Sequence, residues 1–377
     1  MLQAGAALRA DPDPARAAAG AAEAAREVLG SARIDAALVF ATLPADLARC
    51  STAAREALGA PAICAVAGHA VIGGEGELEA AGSVAVLALA GATAHGFAIA
   101  AADGVEETIG PEVESLLGRS PRETDLVLVF ADPLSIDPGR LAGALRDLAP
   151  ACVVGAGAAL ARPGAALLAS DGRAFAGGVC GLALALPTPA RVAVSQGCRR
   201  FGPARAITRA DGHWVLEIDG KPALDVYAEA ARAPLATDLR RAAERVLVAL
   251  PCGVRDVADE AWVARRVSGF APERCAFALP ERARVGSALW FALRDADLAR
   301  DDLRSALVRA TPARAALYLG ASDRGRALFR HEGLESAIVA QALAPAPFAG
   351  FFGSFELAPL GGSLAHLAHA AIVVALA

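Results

Sequence analysis

The sequence predicts an α/β (α+β) fold in which mixed β-sheets, flanked by helices, are built from an internally repeated unit. One pattern recurs three times: a buried strand, a helix, a second strand ending in small residues, and a closing apolar strand. The chain has 377 residues, 55% of them hydrophobic, which is too long for one compact core and indicates two modules. Only 5% of the residues are aromatic while Ala and Gly are abundant, so we expect tight packing of small side chains.

Each predicted strand is a short apolar run bounded by Gly or polar residues. The opening strands are predicted at residues 36–41, 125–131 and 315–320. The second strands, each followed by a Gly-bearing loop, are predicted at residues 62–68, 151–157 and 348–353. The closing strands are predicted at residues 83–89, 178–184 and 371–376. We therefore expect superimposable strand–helix–strand–strand units in both modules.

Three segments are predicted along the chain. Residues 1–30 form an N-terminal helical segment, because Asp and Pro at 11–14 mark a helix start and Gly30 marks its end. The first module covers residues 31–187, and Pro187 and Pro189 interrupt the pattern there. The second module covers residues 188–377.

The first part of the second module has a different pattern of predicted elements, with strands that do not follow the repeat. Strands are predicted at residues 191–198, 206–209, 214–221, 245–250 and 288–293. Helices are predicted at residues 225–232, 238–243 and 296–309.

Composition argues against several classes of protein. The net charge is −5 and the arginines lie beside acidic residues, which disfavours a nucleic-acid partner. The apolar runs are far shorter than the roughly 20 residues of a membrane helix, and the N-terminus lacks the apolar core of a signal peptide. Seven cysteines without a C-x-x-C pair suggest neither a disulfide framework nor a zinc site. We therefore expect a reduced, cytoplasmic protein.

Short segments along nearly the whole chain occur in the order and spacing of one family. They are residues 71–74, 153–155, 162–164, 194–199, 201–203, 217–224, 324–329 and 350–359. On these segments taken together, the chain resembles the bacterial FIST domain pair. The resemblance implies that residues 31–187 are a FIST N-terminal module and residues 188–377 a FIST C-terminal module.

The resemblance implies a sensory, signal-transducing role. A FIST protein is expected to bind an amino-acid-like or other small metabolite and to act through a separate partner, such as a signalling kinase or another regulatory protein. An alternative within the family is a haem-binding nitric-oxide sensor that regulates a histidine kinase. Where the family usually has cysteines, this chain has Val66 and Ala321, and Ala271 replaces an expected acidic residue. These departures argue against a thiol-dependent version of the family function.

Four polar residues of the third repeat follow strand ends, where open sheets present ligands. They are Arg324, Arg326, Ser354 and Glu356. Arginine matches a carboxylate and glutamate can hold an ammonium group, so an amino-acid-like ligand suits this set. We expect Arg324 and Glu356 to lie in one cavity and to face the ligand. The alternative is a structural ion pair between them that closes the sheet edge.

A second candidate region follows the strand that begins the second module. Ser195, Gln196, Gly197 and Arg199 could turn backbone N–H groups towards an anion. The alternative is an ordinary glycine turn between two strands. Of this region, Gln196 and Arg199 are retained as candidate ligand-binding residues.

Two histidines are the best-placed candidates for a haem ligand. His366 and His369 are three residues apart, so on a helix they share a face and could ligate haem. The alternative is a pair of polar residues on a short helix before the last strand. His69, beside a glycine in a strand loop, is a further weak candidate. We expect no resident cofactor and no metal site.

The sequence contains no set of residues typical of catalysis. Ser195 has no nucleophile-elbow context, and no P-loop, H-E-x-x-H or kinase signature is present. Residues 155–159 match half of a dinucleotide fingerprint in a chain rich in Gly and Ala. We therefore expect a binding protein without catalytic residues, the alternative being an enzyme such as a hydrolase.

Overall fold

The computed structural model of the chain describes residues 1–232, 235–252 and 261–377. These residues form two compact units. The first comprises Met1–Ser195, Leu303–Pro359 and Leu364–Ala377, and the second comprises Gln196–Asp302 with Leu360–Ser363. The predicted α/β class is confirmed, because helices accompany the strands and the sheets of the first unit mix parallel and antiparallel pairs.

The first two repeats run through the same eight elements: an outer strand, a helix, the opening strand, a helix, the second strand, a two-stranded hairpin and the closing strand. The first repeat comprises β1 (Gln3–Ala10), α1 (Pro14–Leu29), β2 (Ala36–Thr42), α2 (Leu47–Leu58), β3 (Ala62–Gly68), β4 (Ala70–Gly73), β5 (Gly76–Leu78) and β6 (Ser83–Ala90). The second comprises β7 (Thr93–Ile99), α3 (Val105–Leu117), β8 (Asp125–Ala131), α4 (Pro138–Ala144), β9 (Cys152–Gly157), β10 (Leu168–Ser170), β11 (Arg173–Phe175) and β12 (Val179–Ala185).

The third repeat begins with its outer strand and is then interrupted. The strand is β13 (Arg191–Ser195). The interrupting segment carries β14 (Arg199–Asp211), β15 (Trp214–Ile218), β16 (Lys221–Pro222), α5 (Ala223–Ala231), α6 (Leu239–Ala243), β17 (Val246–Pro251), β18 (Trp262–Arg265), β19 (Gly269–Ala271), β20 (Ala276–Ala278) and β21 (Ala288–Leu293). The repeat resumes with α7 (Ala296–Ala310), β22 (Ala315–Ala321), α8 (Arg326–Phe329), α9 (Leu334–Leu343), β23 (Phe348–Gly353), β24 (Glu356–Leu360), β25 (Ser363–Leu367) and β26 (Ala371–Leu376). Short 3₁₀ turns lie at Ala101–Asp103, Leu145–Leu148, Leu235–Thr237 and Pro272–Arg274.

The three repeats pair their strands in the same way, which confirms the predicted superimposable units. In each, the opening and second strands are parallel neighbours, β2 with β3, β8 with β9 and β22 with β23. The closing strand lies antiparallel on the other side of the opening strand, and the outer strand pairs with the closing strand. The opening and closing strands are buried almost throughout, because helices and neighbouring sheets cover both faces.

Each of these sheets is completed by a hairpin from a different repeat. The hairpin β10–β11 of the second repeat pairs with β3, and the hairpin β4–β5 of the first repeat pairs with β23. The strands β24 and β25 of the third repeat extend the sheet of β9. The exchange is cyclic, so no repeat completes its own sheet.

Sequence reasoning missed the outer strands β1 and β7, and it predicted β13 as a strand but not as part of the repeat. The helix predicted within residues 1–30 is confined to α1, which Asp13 caps and Gly30 ends, and the preceding residues form β1. A side chain at Gly5 would place its Cβ 2.0 Å from the Ala25 carbonyl oxygen, so glycine is needed where β1 passes directly beneath α1.

The compact units also differ from the two predicted modules. The second unit ends at Asp302, apart from Leu360–Ser363, and most of the remaining chain returns to the first unit. The segment predicted as a module from residue 188 onwards therefore contains an insertion together with the rest of the third repeat. Inside the insertion the predicted strands and helices are present, and its core surrounds Tyr227, whose hydroxyl donates to the Val246 carbonyl at 2.8 Å.

The three repeats meet at the ends of their second strands. The Ala159 N–H donates to the Ala67 carbonyl, the His69 N–H to Phe352 and the Ser354 N–H to Gly157, at 2.8, 2.9 and 3.1 Å. Three buried phenylalanines, Phe40, Phe130 and Phe351, pack beside them. Phe351 stacks on Phe40 at 5.0 Å, and Phe130 meets both rings edge-on at 5.9 Å. One aromatic cluster thus joins all three repeats.

Among the residues described, no helix is both long and apolar enough to cross a membrane.

We predict that Phe351→Ala lowers the free energy of unfolding by about 3–5 kcal/mol, because it opens a cavity at the junction of three sheets. Urea denaturation of the full chain measures this. Leu160→Ala, at a side chain that is 56% exposed, is the control and should change it by less than about 0.5 kcal/mol. Equal small losses in the two variants would contradict the role of the cluster.

Candidate functional site

A cavity of about 580 Å³ lies in the first unit, at the carboxyl ends of β22 and β23. The loop after β22, the short helix α8, the hairpin β4–β5 and the end of β3 provide its walls. Its charged and polar lining residues are His69, Glu77, Glu79, Ser322, Arg324, Arg326 and Arg330. Carboxylates from the first repeat therefore share one cavity with guanidinium groups from the third.

Arg324 is buried and its charge is neutralised within the protein. Its Nε donates to the Glu335 carboxylate at 2.7 Å and its Nη2 lies 2.6 Å from the same oxygen. The Tyr318 hydroxyl and the Gly325 N–H also donate to Glu335, at 2.5 and 2.8 Å. Burial alone would lower the pKa of the Arg324 guanidinium, but the Glu335 carboxylate outweighs it and the pKa lies above its usual value. The pair holds the loop after β22 to the start of α9.

Glu77 is a different kind of buried carboxylate. Its side chain is 5% exposed, and Oε1 accepts a hydrogen bond from the Gly333 N–H at 2.8 Å. Oε2 is buried and has no hydrogen-bond partner of normal geometry among the described residues, although the Ser336 N–H also acts on this carboxylate and lowers its pKa. Burial raises the pKa of Glu77 to about 7, and the charges of Glu335 and Glu79 add to this effect. Backbone hydrogen bonds to the carboxylate lower the pKa but do not outweigh burial. A buried carboxylate oxygen left without a donor is free to accept one from a ligand.

The remaining polar groups of the wall are more accessible. Arg326 and Arg330 are exposed, at the start and just after the end of α8. His69 accepts a hydrogen bond from the Leu160 N–H at 3.1 Å through Nε2, and burial lowers its pKa. The imidazole is therefore neutral at pH 7, and the two arginines are the accessible cations of the wall.

Glu356 does not lie in this cavity, so the prediction that Arg324 and Glu356 share one is wrong. Of the described residues, those lining the cavity include neither Glu356 nor Ser354. Glu356 is completely buried at the start of β24, opposite Ala156 of β9. The cause is the hairpin exchange, which carries β24 onto the sheet of the second repeat. The predicted ion pair of Arg324 with Glu356 is likewise replaced by the pair with Glu335.

The candidates around residue 196 lie in or beside the second unit and belong to a turn. Gln196 donates from Nε2 to the Trp262 carbonyl at 2.6 Å and accepts from the Ala264 N–H at 3.0 Å. Gly197 has φ = 64°, and its N–H donates to the Asp302 carboxylate at 2.9 Å. A carboxylate of the chain thus occupies the position offered to an anion. Arg199 is exposed at the start of β14.

The two histidines do not form the predicted helical pair. His366 lies in β25 and His369 in the turn that follows it, so the predicted helix is wrong. His366 packs edge-on against Phe355 at 5.8 Å, and His369 Nδ1 lies 2.5 Å from an Asp323 oxygen. Among the described residues, no group of three or more His, Cys, Asp and Glu side chains could hold a metal ion.

Comparison with known proteins identifies the family. The FIST N domain matches residues 35–221 and the FIST C domain matches residues 223–359. This chain belongs to the FIST family. Uncharacterized proteins of Mycobacterium bovis and Mycobacterium tuberculosis strain H37Rv are 30% and 31% identical to it, over 93% of this chain and 92% and 93% of theirs. A crystal structure of cyanuric acid hydrolase from A. caulinodans shares 14% identity at a TM-score of 0.30, covering 50% of this chain and 71% of that one.

FIST domains are small-ligand sensory domains, so this chain carries both parts of such a sensor. Two positions where the family usually has cysteine are apolar and buried here: Val66 in β3 and Ala321 at the end of β22. Because Ala321 directly precedes Ser322 of the cavity wall, the chain carries no thiol at that position beside the cavity.

Sequence reasoning found Arg324 and Arg326 of this wall but missed Glu77, Arg330 and Glu335. Glu77 had one local signal, which it shares with Glu75: these are the two acidic residues among the glycines and apolar residues of 71–78. Its partners in space come from another repeat, so no local pattern could place it in the cavity.

We predict that Arg324→Ala lowers the free energy of unfolding by about 3–5 kcal/mol, because it leaves the Glu335 charge buried and unpaired. Arg326→Ala, at an exposed arginine of the same wall, should change it by less than about 0.5 kcal/mol. Thermal or urea denaturation distinguishes the two variants. An Arg324→Ala protein as stable as the wild type would restore Arg324 as a ligand-binding residue.

The raised pKa of Glu77 predicts a specific pH dependence of stability. A carboxyl whose pKa is higher in the folded state stabilises the protein below its unfolded value, near 4.5, and that contribution is lost as the pH rises through about 7. Between pH 5.5 and 8, wild-type protein should therefore lose about 2 kcal/mol more stability than Glu77→Gln. Glu75→Gln, at an exposed residue of the same hairpin, should keep the wild-type slope. Parallel curves for all three proteins would contradict the burial of a titrating Glu77.

Proposed function

We propose that this FIST protein binds an amino-acid-like metabolite in the cavity at the ends of β22 and β23. The observation that carries the proposal is the buried Oε2 of Glu77, which has no donor of normal hydrogen-bond geometry among the described residues, in a cavity that also exposes Arg326 and Arg330. A carboxylate accepts hydrogen bonds from an ammonium group, while guanidinium groups bind a carboxylate. One small molecule with both groups would satisfy both sides of the cavity.

The roles of the residues follow from their surroundings. Arg326 and Arg330 are accessible, so their guanidinium groups would bind the ligand carboxylate. Glu77 would accept the ammonium group, and this contact favours its charged form. Arg324 would act only as a positioning residue, because Glu335 already takes its charge.

Ligand binding would act on the junction between repeats. Glu77 belongs by sequence to the first repeat, yet its hairpin β4–β5 pairs with β23 of the third. A ligand that bridges Glu77 and the arginines of α8 therefore ties two repeats together. We infer that a separate partner protein, such as a kinase or another regulator, recognises the tightened state.

We propose binding rather than catalysis, and no resident haem. Burial raises the pKa of the Cys50 thiol to about 12 and of the Cys152 and Cys252 thiols to about 11, which makes them poor nucleophiles at neutral pH. The feature that had suggested haem, the helical spacing of His366 and His369, is absent because one lies in β25 and the other in the turn after it.

The proposal is tested by thermal denaturation of the full chain with each of the twenty standard amino acids. For any amino acid that raises Tm, the matching α-keto acid, which lacks the ammonium group, and the matching amine, which lacks the carboxylate, are compared. We expect at least one amino acid to raise Tm, since a ligand at 100 times its Kd adds about 2.7 kcal/mol of stability. Both analogues should stabilise less.

Variants assign the two ends of the ligand. Glu77→Gln should lower the ratio of the Kd of the keto acid to the Kd of the amino acid roughly tenfold. Arg330→Ala should lower the ratio of the Kd of the amine to the Kd of the amino acid by a similar factor. Arg173→Ala, at an exposed arginine of β11, and Glu75→Gln are the matched controls and should bind normally. Absence of stabilisation by every amino acid, or equal effects of the control variants, would refute the proposal.

A further inference from the structure

Two buried cysteines of the first unit meet between two different sheets. Cys64 lies in β3, in the sheet of the first repeat, and Cys180 lies in β12, in the sheet of the second. Their Sγ atoms are 3.1 Å apart and both side chains are fully buried. They are 116 residues apart in sequence, so no local cysteine motif indicates the pair.

The geometry brings these sulfurs closer than an ordinary contact between two thiols. A disulfide has an S–S distance of about 2.05 Å, so a further approach of roughly 1 Å would form the bond. The two strands are held in place by their own sheets, β3 by β2 and β10, and β12 by β8 and β7. The bond would therefore form by rotation of the two side chains, with each strand still paired to its neighbours.

We propose that Cys64 and Cys180 are a redox pair that a peroxide converts to a disulfide linking the first and second repeats. One thiolate attacks an oxygen of hydrogen peroxide, so that an S–O bond forms and the O–O bond breaks. The products are a sulfenic acid and hydroxide, and the hydroxide takes up a proton to form water. The second thiol then attacks the sulfenic sulfur and releases a second water. Two thiols are oxidised, one peroxide is reduced, and the net products are one disulfide and two waters.

Burial determines how the pair behaves. It raises the pKa of the Cys64 thiol, and the neighbouring Cys180 and Asp171 add to the effect, so the reactive thiolate is scarce in the folded protein. Oxidation of folded protein should therefore be slow, and oxidation during folding fast. Once formed, the buried bond is shielded from thiol reductants.

The experiment uses the full chain carrying Cys275→Ser, because Cys275 is exposed and would react on its own. One sample is treated with hydrogen peroxide while folded, and a second is unfolded, reduced and refolded with glutathione disulfide. Remaining thiols are alkylated after denaturation, and cross-linked peptides are identified by mass spectrometry. We expect a peptide pair joined through Cys64 and Cys180, a loss of two of the six remaining thiols, and a Tm raised by roughly 5 °C.

Matched variants separate this pair from general thiol oxidation. Cys64→Ala and Cys180→Ala should each abolish the cross-linked peptide and the rise in Tm. Cys50→Ala removes a thiol that is equally buried and should leave both unchanged. Six free thiols after both treatments, or cross-links spread over other cysteines, would overturn the proposal.

Discussion

The cyclic exchange of hairpins is the constraint on which the rest of the first unit depends. A second strand without its borrowed hairpin would expose a row of unpaired backbone groups at a sheet edge, which is costly and promotes aggregation. The hairpin β4–β5 covers the edge of β23, and the hairpin β10–β11 covers the edge of β3. The strands β24 and β25 cover the edge of β9. Each repeat thus relies on another for a complete sheet, and the junction of Phe40, Phe130 and Phe351 lies where all three meet.

The same exchange decides which charged groups share a cavity. It brings Glu77 of the first repeat to the start of α9 and takes Glu356 of the third repeat onto β9. The two buried carboxylates of the cavity region then differ in their surroundings. Glu335 accepts from Arg324, Tyr318 and the Gly325 N–H, whereas Glu77 has one oxygen without a donor of normal hydrogen-bond geometry among the described residues. Glu335 is a structural ion, and Glu77 is a buried carboxylate whose desolvation the proposed ligand would offset.

The strands that are buried on both faces could be predicted from the sequence. The features that depend on strand pairing between repeats could not. The nine repeat strands are continuous apolar runs, a pattern that predicts them directly, and α1 has its capping Asp13 and terminal Gly30. The outer strand β1 is an Ala-rich run that precedes an Ala-rich helix, so composition did not separate them. His366 and His369 have helical spacing, but the hairpin turn that places them is set by pairing.

Of the candidate site, the sequence supplied Arg324 and Arg326, because both follow an opening strand, where polar loop residues are informative. It could not supply the pairing of Arg324 with Glu335 or the approach of Glu77. Both arise from packing between distant segments. The insertion within the third repeat was hidden for a related reason. The second compact unit, which includes the first part of α7, separates β13 from β22, so the two strands do not appear as consecutive parts of one pattern.

Divergence of the repeats explains why the cavity belongs to the third one. At the end of the first opening strand, the Thr42 hydroxyl accepts a hydrogen bond from the Ser83 N–H at 3.1 Å, which fixes the start of the closing strand. In the second repeat Asp132 does the equivalent by accepting from the Gly177 N–H at 2.8 Å. In the third repeat Ala321 takes the position of Thr42, because each pairs with the last glycine of its second strand, and the next residue, Ser322, is exposed on the cavity wall. There the buried pair of Arg324 and Glu335 holds the loop on its protein side. The other side of the loop faces the cavity.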